Sequence, residues 1–210
     1  MIELFTTAFI TLLVIVDPPG CAPIFASLTS GTDAVHRRKM AIRSALVAWC
    51  ILLFFALLGE PLLSHMGISL SAFRLAGGIM LFIIALEMVF EKRTERREER
   101  AREIEGTPEA EDISVFPMAI PMIAGPGSIA SVMLLNARAD GLTASLVVLG
   151  AMTLVILLTM ISLLAAGPLM RFVGAKVEAM ITRILGVILA ALAAQFVLDG
   201  LERSLPGLAG

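Results

Sequence analysis

Cysteine and histidine are scarce in this sequence. It has two residues of each type, which gives no spaced cluster of metal ligands. Cys21 and Cys50 both lie inside apolar runs, and we expect free thiols that are buried as small apolar side chains. A nucleotide-binding motif is also lacking, so ATP-driven pumping by this chain alone is not expected. We expect no cofactor, no bound metal and no nucleic-acid partner.

Charged residues are few and gathered in short stretches. They make up 16% of the 210 residues, while 58% are hydrophobic, against about 45–50% apolar residues in ordinary soluble domains. Apolar runs of about 20 residues lie between the charged stretches, and that length spans a hydrocarbon core of about 30 Å. A compact soluble protein of this size could not bury so many apolar segments. The composition therefore predicts an integral protein of the lipid bilayer.

The apolar runs predict an all-α membrane protein with six transmembrane helices. No basic residue precedes the first run and no small-residue cleavage site follows it, so we expect a retained helix and not a cleaved signal peptide. The charged stretch at 91–112 predicts a solvated helical linker, with a docking or regulatory loop as the alternative. The six spans are predicted at about 4–29, 41–63, 69–90, 113–135, 142–166 and 179–201.

Lysine and arginine are distributed unequally between the two sides of the membrane. Thirteen of the sixteen lie in or near the first, third and fifth loops, and three lie on the opposite side. Because positively charged loops stay in the cytoplasm, we expect both termini outside and the linker 91–112 in the cytoplasm. The predicted location is the cytoplasmic (inner) membrane.

The two halves of the sequence resemble each other. Because each half holds three spans, the second must cross the membrane inverted relative to the first, as in many secondary transporters. We predict a first three-helix repeat at 1–90 and a second, inverted repeat at 113–210. A shift of 107 residues places Pro19-Gly20 on Pro126-Gly127, Pro61 on Pro168 and Gly67 on Gly174, and a shift of 109 places Arg74 on Arg183 and Gly77 on Gly186.

Proline and glycine interrupt the first and fourth spans. The first contains Asp17-Pro18-Pro19-Gly20, and the fourth contains Pro117 and Pro121 before Gly125-Pro126-Gly127-Ser128. Proline removes a backbone donor and clashes with the preceding turn, and freed backbone groups in lipid must face protein or a water-filled cavity. We therefore predict that both helices are broken and that the breaks face the bundle interior. Kinks that only improve packing are the alternative.

Two helix N-termini would then converge on one central space. Their unpaired N–H groups attract an anion or a carboxylate, and Ser128 can cap its half-helix. Asp17 is a carboxylate near the centre of a span, where a charge is costly and therefore a functional candidate. It could carry a proton, coordinate Na⁺, hold a substrate ammonium or cap the broken helix. The predicted substrate-binding residues are Asp17, Pro19, Gly20, Gly125, Gly127 and Ser128, with Asp17 also coupling transport to an ion.

Other intramembrane residues have simpler interpretations. Glu87 and Asp199 lie near span ends and are predicted to be interface groups. Gly77-Gly78 and Gly186 are predicted to allow close helix packing. A homo-oligomer formed through glycine-rich faces is one option that the sequence leaves open.

Two proline-rich patterns carry a resemblance to a known family. They are D-P-x-G-x-x-P-x-F in VDPPGCAPIFASL and P-x-A-x-P-x-x-A-G-P in FPMAIPMIAGPGSIASVMLL. With RLAGGIMLFIIALEMVF and RILGVILAALAAQFVLDG, the sequence resembles the MarC family over nearly its whole length. The resemblance implies six helices in the cytoplasmic membrane and transport. One branch of the family is similar to transporters of small neutral amino acids such as glycine and alanine.

The sequence therefore predicts a secondary active transporter that works by alternating access. The favoured substrate is a small neutral amino acid, because its carboxylate suits the helix ends and its ammonium suits Asp17. Coupling to H⁺ or Na⁺ is expected. The alternatives are an exporter of another small metabolite or drug-like compound, and a channel or non-transporting membrane protein. We do not expect an enzyme, because Asp17 has no histidine at matching depth.

Overall fold

The computed structural model describes residues 1–104 and 112–204. Residues 105–111 of the predicted linker 91–112 and residues 205–210 of the predicted repeat 113–210 lie outside the described residues. All regular structure within the described ranges is helical. The helices are α1 (Ile2–Val16), α2 (Pro18–Leu28), α3 (Ala34–His65), α4 (Leu70–Val89), α5 (Lys92–Ile104), α6 (Pro126–Ala137), α7 (Leu142–Leu164) and α8 (Ala166–Ser204), with a wound segment at Ser114–Ile123 between α5 and α6.

Five stretches are long and apolar enough to cross a membrane. A sixth is present if Ser114–Ile123 and α6, which meet at an angle of 55°, count as one broken span. Five to six spans agree with the prediction of a multi-pass membrane protein. Large apolar side chains are exposed along α3, α7 and α8, as lipid-facing surfaces require; examples are Leu46, Phe54, Leu57, Leu146, Ile161, Ile184 and Val187.

The last helix differs from the prediction. The sequence predicts a loop between spans ending at 166 and starting at 179, but α8 is continuous from Ala166 to Ser204. Pro168 lies in the first turn of this helix, where a missing N–H breaks no helical hydrogen bond. Proline therefore marks the start of α8 and not an interruption. The cysteine prediction is half right, because Cys21 is buried and Cys50 is exposed.

The helices pack in pairs that join the two halves of the chain. α1 packs on α7, α3 packs on α6 and on Ser114–Ile123, and α4 packs along α8. Glycine permits the last contact: a Cβ added to Gly78 would lie 2.8 Å from the backbone nitrogen of Val197, and one added to Gly186 would lie 2.8 Å from Cβ of Met88. Small residues thus bring α4 and α8 together, as predicted.

Candidate functional site

The first span breaks at Asp17, between α1 and α2. Asp17 has a φ of 57°, a left-handed conformation that Asp tolerates better than most residues. Its Oδ1 accepts a hydrogen bond of 3.2 Å from the amide of Gly20 and so caps α2. A Cβ at Gly20 would lie 2.1 Å from Oδ2 of Asp17, so a larger residue here would have to displace the carboxylate. The predicted break and the capping role of Asp17 are confirmed.

Asp17 also forms a buried ion pair. Its Oδ2 lies 3.1 Å from Nη1 of Arg97, and the two side chains are 2% and 9% exposed. Arg97 belongs to α5, the charged helix that follows α4. Nη2 of Arg97 is 3.5 Å from the carbonyl oxygen of Val16, which the break leaves free of a helical partner. The carboxylate at the break is therefore neutralised by the linker and not left free for a solute.

A second arginine of α5 reaches the same break. Nη2 of Arg93 donates to the carbonyl oxygen of Ile15 at 2.5 Å, and Nη1 lies 3.0 Å from the sulfur of Met88. Desolvation lowers the pKa of Arg93 to about 10, with the nearby charge of Arg97 as a smaller cause. The group stays protonated at neutral pH. α5 therefore places two cations against the end of α1.

The linker is anchored at its other end as well. Asp112 forms an ion pair with Arg43 of α3. The hydroxyl of Ser114 donates to Asp112, which holds the pKa of this carboxyl below its ordinary value; the Ser114 amide and the charge of Arg43 act in the same direction. The interpretation of 91–112 as a solvated linker is thus incomplete, because α5 forms a buried ion pair with Asp17 and Asp112 contacts α3.

The second span breaks between Ser114–Ile123 and α6. Phe116 and Ile120 have extended backbones within the wound segment, and α6 starts at Pro126 with Gly125 as its N-cap. The prediction that Ser128 caps this half-helix is wrong, since no side chain caps α6. Glycine takes the N-cap position because a Cβ at Gly125 would lie 2.4 Å from the carbonyl oxygen of Pro121. The amides of the first turn of α6 therefore have no side-chain acceptor among the described residues.

A half-open cavity of about 260 Å³ lies beside this second break. It is bounded by α4, α5, the end of the wound segment and the first turn of α6. No aromatic side chain is among its lining residues in the described part of the chain. Its charged lining residues are Glu87, Arg93, Arg96 and Arg97, and its lining from the second break includes Pro121, Gly125, Pro126, Gly127 and Ser128.

The structure brings together only part of the predicted site. Gly125, Gly127 and Ser128 line the cavity, whereas Asp17, Pro19 and Gly20 do not. Arg97 connects the two groups, because it lines the cavity and its guanidinium pairs with Asp17. The two breaks therefore share one cation from α5.

Comparison with known proteins identifies the family. The model of the MarC family integral membrane proteins matches residues 2–205. The chain belongs to the MarC family. It is 34% identical over 204 residues to a UPF0056 membrane protein of Archaeoglobus fulgidus, covering 97% of this chain and 95% of the relative. It is 32% identical over 201 residues to the UPF0056 inner membrane protein YhgN of Escherichia coli K12, with 96% and 98% covered.

A third relative matches the chain over a similar length. The UPF0056 membrane protein YvbG of Bacillus subtilis is 34% identical to this MarC-family chain over 206 residues, which is 98% of both proteins. No solved structure matches the chain. The family assignment thus covers the whole bundle, including both breaks and α5.

Sequence reasoning missed the arginines of this MarC-family protein. Arg93 and Arg97 are four residues apart and therefore share one face of α5, and that spacing was the available signal. The acidic surroundings of 91–112 favoured a solvated helix instead. Glu87, predicted to be an interface group, pairs with Arg96 across the cavity. Asp199, predicted likewise, forms an ion pair with Arg138 at the end of α6.

Proposed function

We propose that this MarC-family protein is a secondary transporter of a small solute, and that the solute binds where the two broken spans meet α5. The observation that carries the proposal is the shared cation: Arg97 pairs with Asp17 at the first break and lines the cavity at the second. Broken helices next to a polar cavity are typical of transporter binding sites. The packing of each half against the other supports the inverted repeat of 1–90 and 113–210, which stays a prediction.

The cavity supports a small substrate. Its volume of about 260 Å³ is below the range of about 300–1,000 Å³ for sites of drug-sized ligands. Gly125 and Gly127 bring backbone and not side chain to its wall. We therefore keep a small neutral amino acid, such as glycine or alanine, as the proposed substrate. The exporter of a drug-like compound is disfavoured, because no described aromatic residue lines the cavity.

Ion coupling is proposed to act through Asp17. In the described state, Arg97 supplies the counter-charge of this carboxylate. A proton or Na⁺ at Asp17 would replace that counter-charge, and Arg97 would then be free to leave the break. Because α5 is held at the bundle partly by this ion pair, its release would open the cavity. The ion gradient would thus drive the conformational change of alternating access.

The proposed location is the inner membrane, as the name of the relative YhgN states for that protein. The proposed orientation has both termini outside and α5 in the cytoplasm, which follows from the arginine and lysine distribution. In this orientation, the α5 arginines close the site from the cytoplasmic side.

Uptake into proteoliposomes tests the proposal. We expect [³H]glycine or [³H]alanine uptake that requires an imposed pH or Na⁺ gradient. Asp17→Asn keeps an N-cap acceptor and tolerates the left-handed conformation, but it removes the charge and should abolish the response to the gradient. Asp140→Asn, at an exposed position between α6 and α7, is the control and should transport normally.

Each alternative outcome is informative. Unchanged gradient-driven uptake in Asp17→Asn would reduce Asp17 to a structural cap. Absence of uptake of either amino acid by folded wild-type protein would reject the proposed substrate class and require a screen of other small metabolites.

A further inference from the structure

The cavity between α5 and α6 has an excess of positive charge. Three arginines line it, whereas Glu87 is the one acidic residue among its described lining residues. The first turn of α6 also contributes, because Gly127 and Ser128 lie at an N-terminus without a side-chain cap. Free amides and the helix dipole give such an end a partial positive charge. The lining as a whole therefore favours an anion.

The three arginines differ in how their charges are neutralised. Arg97 pairs with Asp17, and Arg96 pairs with Glu87. Among the side chains that the structure describes, no carboxylate forms an ion pair with Arg93. Its guanidinium instead contacts two neutral acceptors, a backbone carbonyl oxygen and a thioether sulfur. These acceptors satisfy N–H groups but carry no charge, and the nearby carboxylates of Asp17 and Glu87 are already paired with Arg97 and Arg96.

We infer that this cavity binds the carboxylate of the transported solute, with Arg93 as its ion-pair partner and the amides of Gly127 and Ser128 on its other side. The inference rests on the proposed function for the transport of the solute, and it assigns α5 to the solute-binding site. A guanidinium and helix N-terminal amides are both strong carboxylate ligands. The small volume leaves room for a short solute, whose remaining atoms would lie against the apolar wall formed by Ile83 and Ile84.

This assignment predicts which chemical group of the solute is recognised. Glycinamide has nearly the size of glycine and keeps its ammonium, but a neutral amide replaces the carboxylate. Acetate keeps the carboxylate and lacks the ammonium. We therefore expect acetate to compete with glycine for the cavity, and glycinamide to bind at least tenfold more weakly than glycine.

The test is calorimetric titration of the purified full-length protein in neutral detergent, with glycine, acetate and glycinamide as probes. Arg93→Gln should weaken glycine and acetate binding at least tenfold. Lys92→Gln, at the neighbouring exposed position of α5, should leave both unchanged. Arg93→Lys keeps a cation, so partial retention of binding in this variant would show that loss in Arg93→Gln reflects charge and not misfolding.

Several results would overturn the inference. Equal binding of glycinamide and glycine would show that the carboxylate is not recognised. Unchanged glycine and acetate binding in Arg93→Gln would show that Arg93 does not contact the solute. No acetate binding by wild-type protein would also reject the site. If phosphatidylglycerol in nanodiscs abolishes acetate binding, a lipid headgroup occupies the cavity and the assignment to a soluble solute is wrong.

The binding test and the transport test can fail independently of each other. Anion binding that depends on Arg93, without uptake into proteoliposomes, would support the site and reject transport. Gradient-driven uptake that is unaffected by Arg93→Gln would support transport and reject the site.

Discussion

Neutralising one member of the Asp17–Arg97 pair should destabilise the protein strongly. The two groups are 3.1 Å apart, and their side chains are 2% and 9% exposed. Removing one partner of a buried pair leaves an uncompensated charge, at a cost of about 3–5 kcal/mol. Asp17→Asn separates the loss of charge from the loss of capping, because the asparagine side chain can still accept a hydrogen bond from the Gly20 amide at the N-cap. Arg97→Gln removes the other charge.

Thermal unfolding in detergent, followed by the fluorescence of Trp49, gives the magnitude. For a chain of this length, about 1 kcal/mol corresponds to about 2–4 °C in Tm. Each single substitution should therefore lower the Tm by roughly 6–20 °C. The double variant Asp17→Asn/Arg97→Gln has no buried charge at this position. Its Tm should be well above the value that adding the two single effects would give.

Additive losses of stability in the double variant would contradict this prediction. If the double variant loses as much stability as the two single variants together, the groups are not energetically coupled. A change of less than about 1 °C in Arg97→Gln would likewise show that solvent reaches this pair and that α5 does not depend on it for docking.

Two glycine substitutions test the packing and the break. Gly78→Ala places a Cβ 2.8 Å from the backbone nitrogen of Val197 and should lower the stability by about 1–3 kcal/mol through overpacking. The control is Gly150→Ala in α7, where a Cβ meets nothing within 4 Å and the Tm should be equal or slightly higher. Equal losses of Tm in both variants would contradict the packing account. Gly20→Ala places a Cβ 2.1 Å from the Asp17 carboxylate and should lower the Tm about as much as Asp17→Asn. A Tm within about 1 °C of wild type would show that the carboxylate can move without loss of stability.

The membrane fold and both breaks could be predicted from the sequence, because apolar length and proline act locally. Long apolar runs define spans whatever their neighbours are. Adjacent prolines stop a helix by removing donors in the same turn. The position of Asp17 at the end of α1 follows from Pro18 alone. These features needed no knowledge of how the helices pack.

The partners across the break could not be predicted, because they depend on tertiary packing. α5 is among the most polar parts of the chain, and its charges by themselves favour solvent. Only the fold shows that Arg93 and Arg97 turn inward to Ile15 and Asp17. Ser128 was misjudged for a related reason: the chain direction at the break makes Gly125, and not Ser128, the N-cap of α6.

The most direct test of the account is sided labelling of Ser128→Cys in a background without Cys21 and Cys50. Ser128 lines the cavity, so an anionic, membrane-impermeant methanethiosulfonate should reach the introduced thiol from one side at a time. Imposing or reversing the gradient should switch the reactive side, and glycine should protect the thiol. The native thiol of Cys50, exposed on α3 and placed against lipid, should stay unreactive in a Cys21→Ser control. Reaction from both sides at once would indicate a channel, and reaction from neither side in any condition would contradict a transport pathway at the second break.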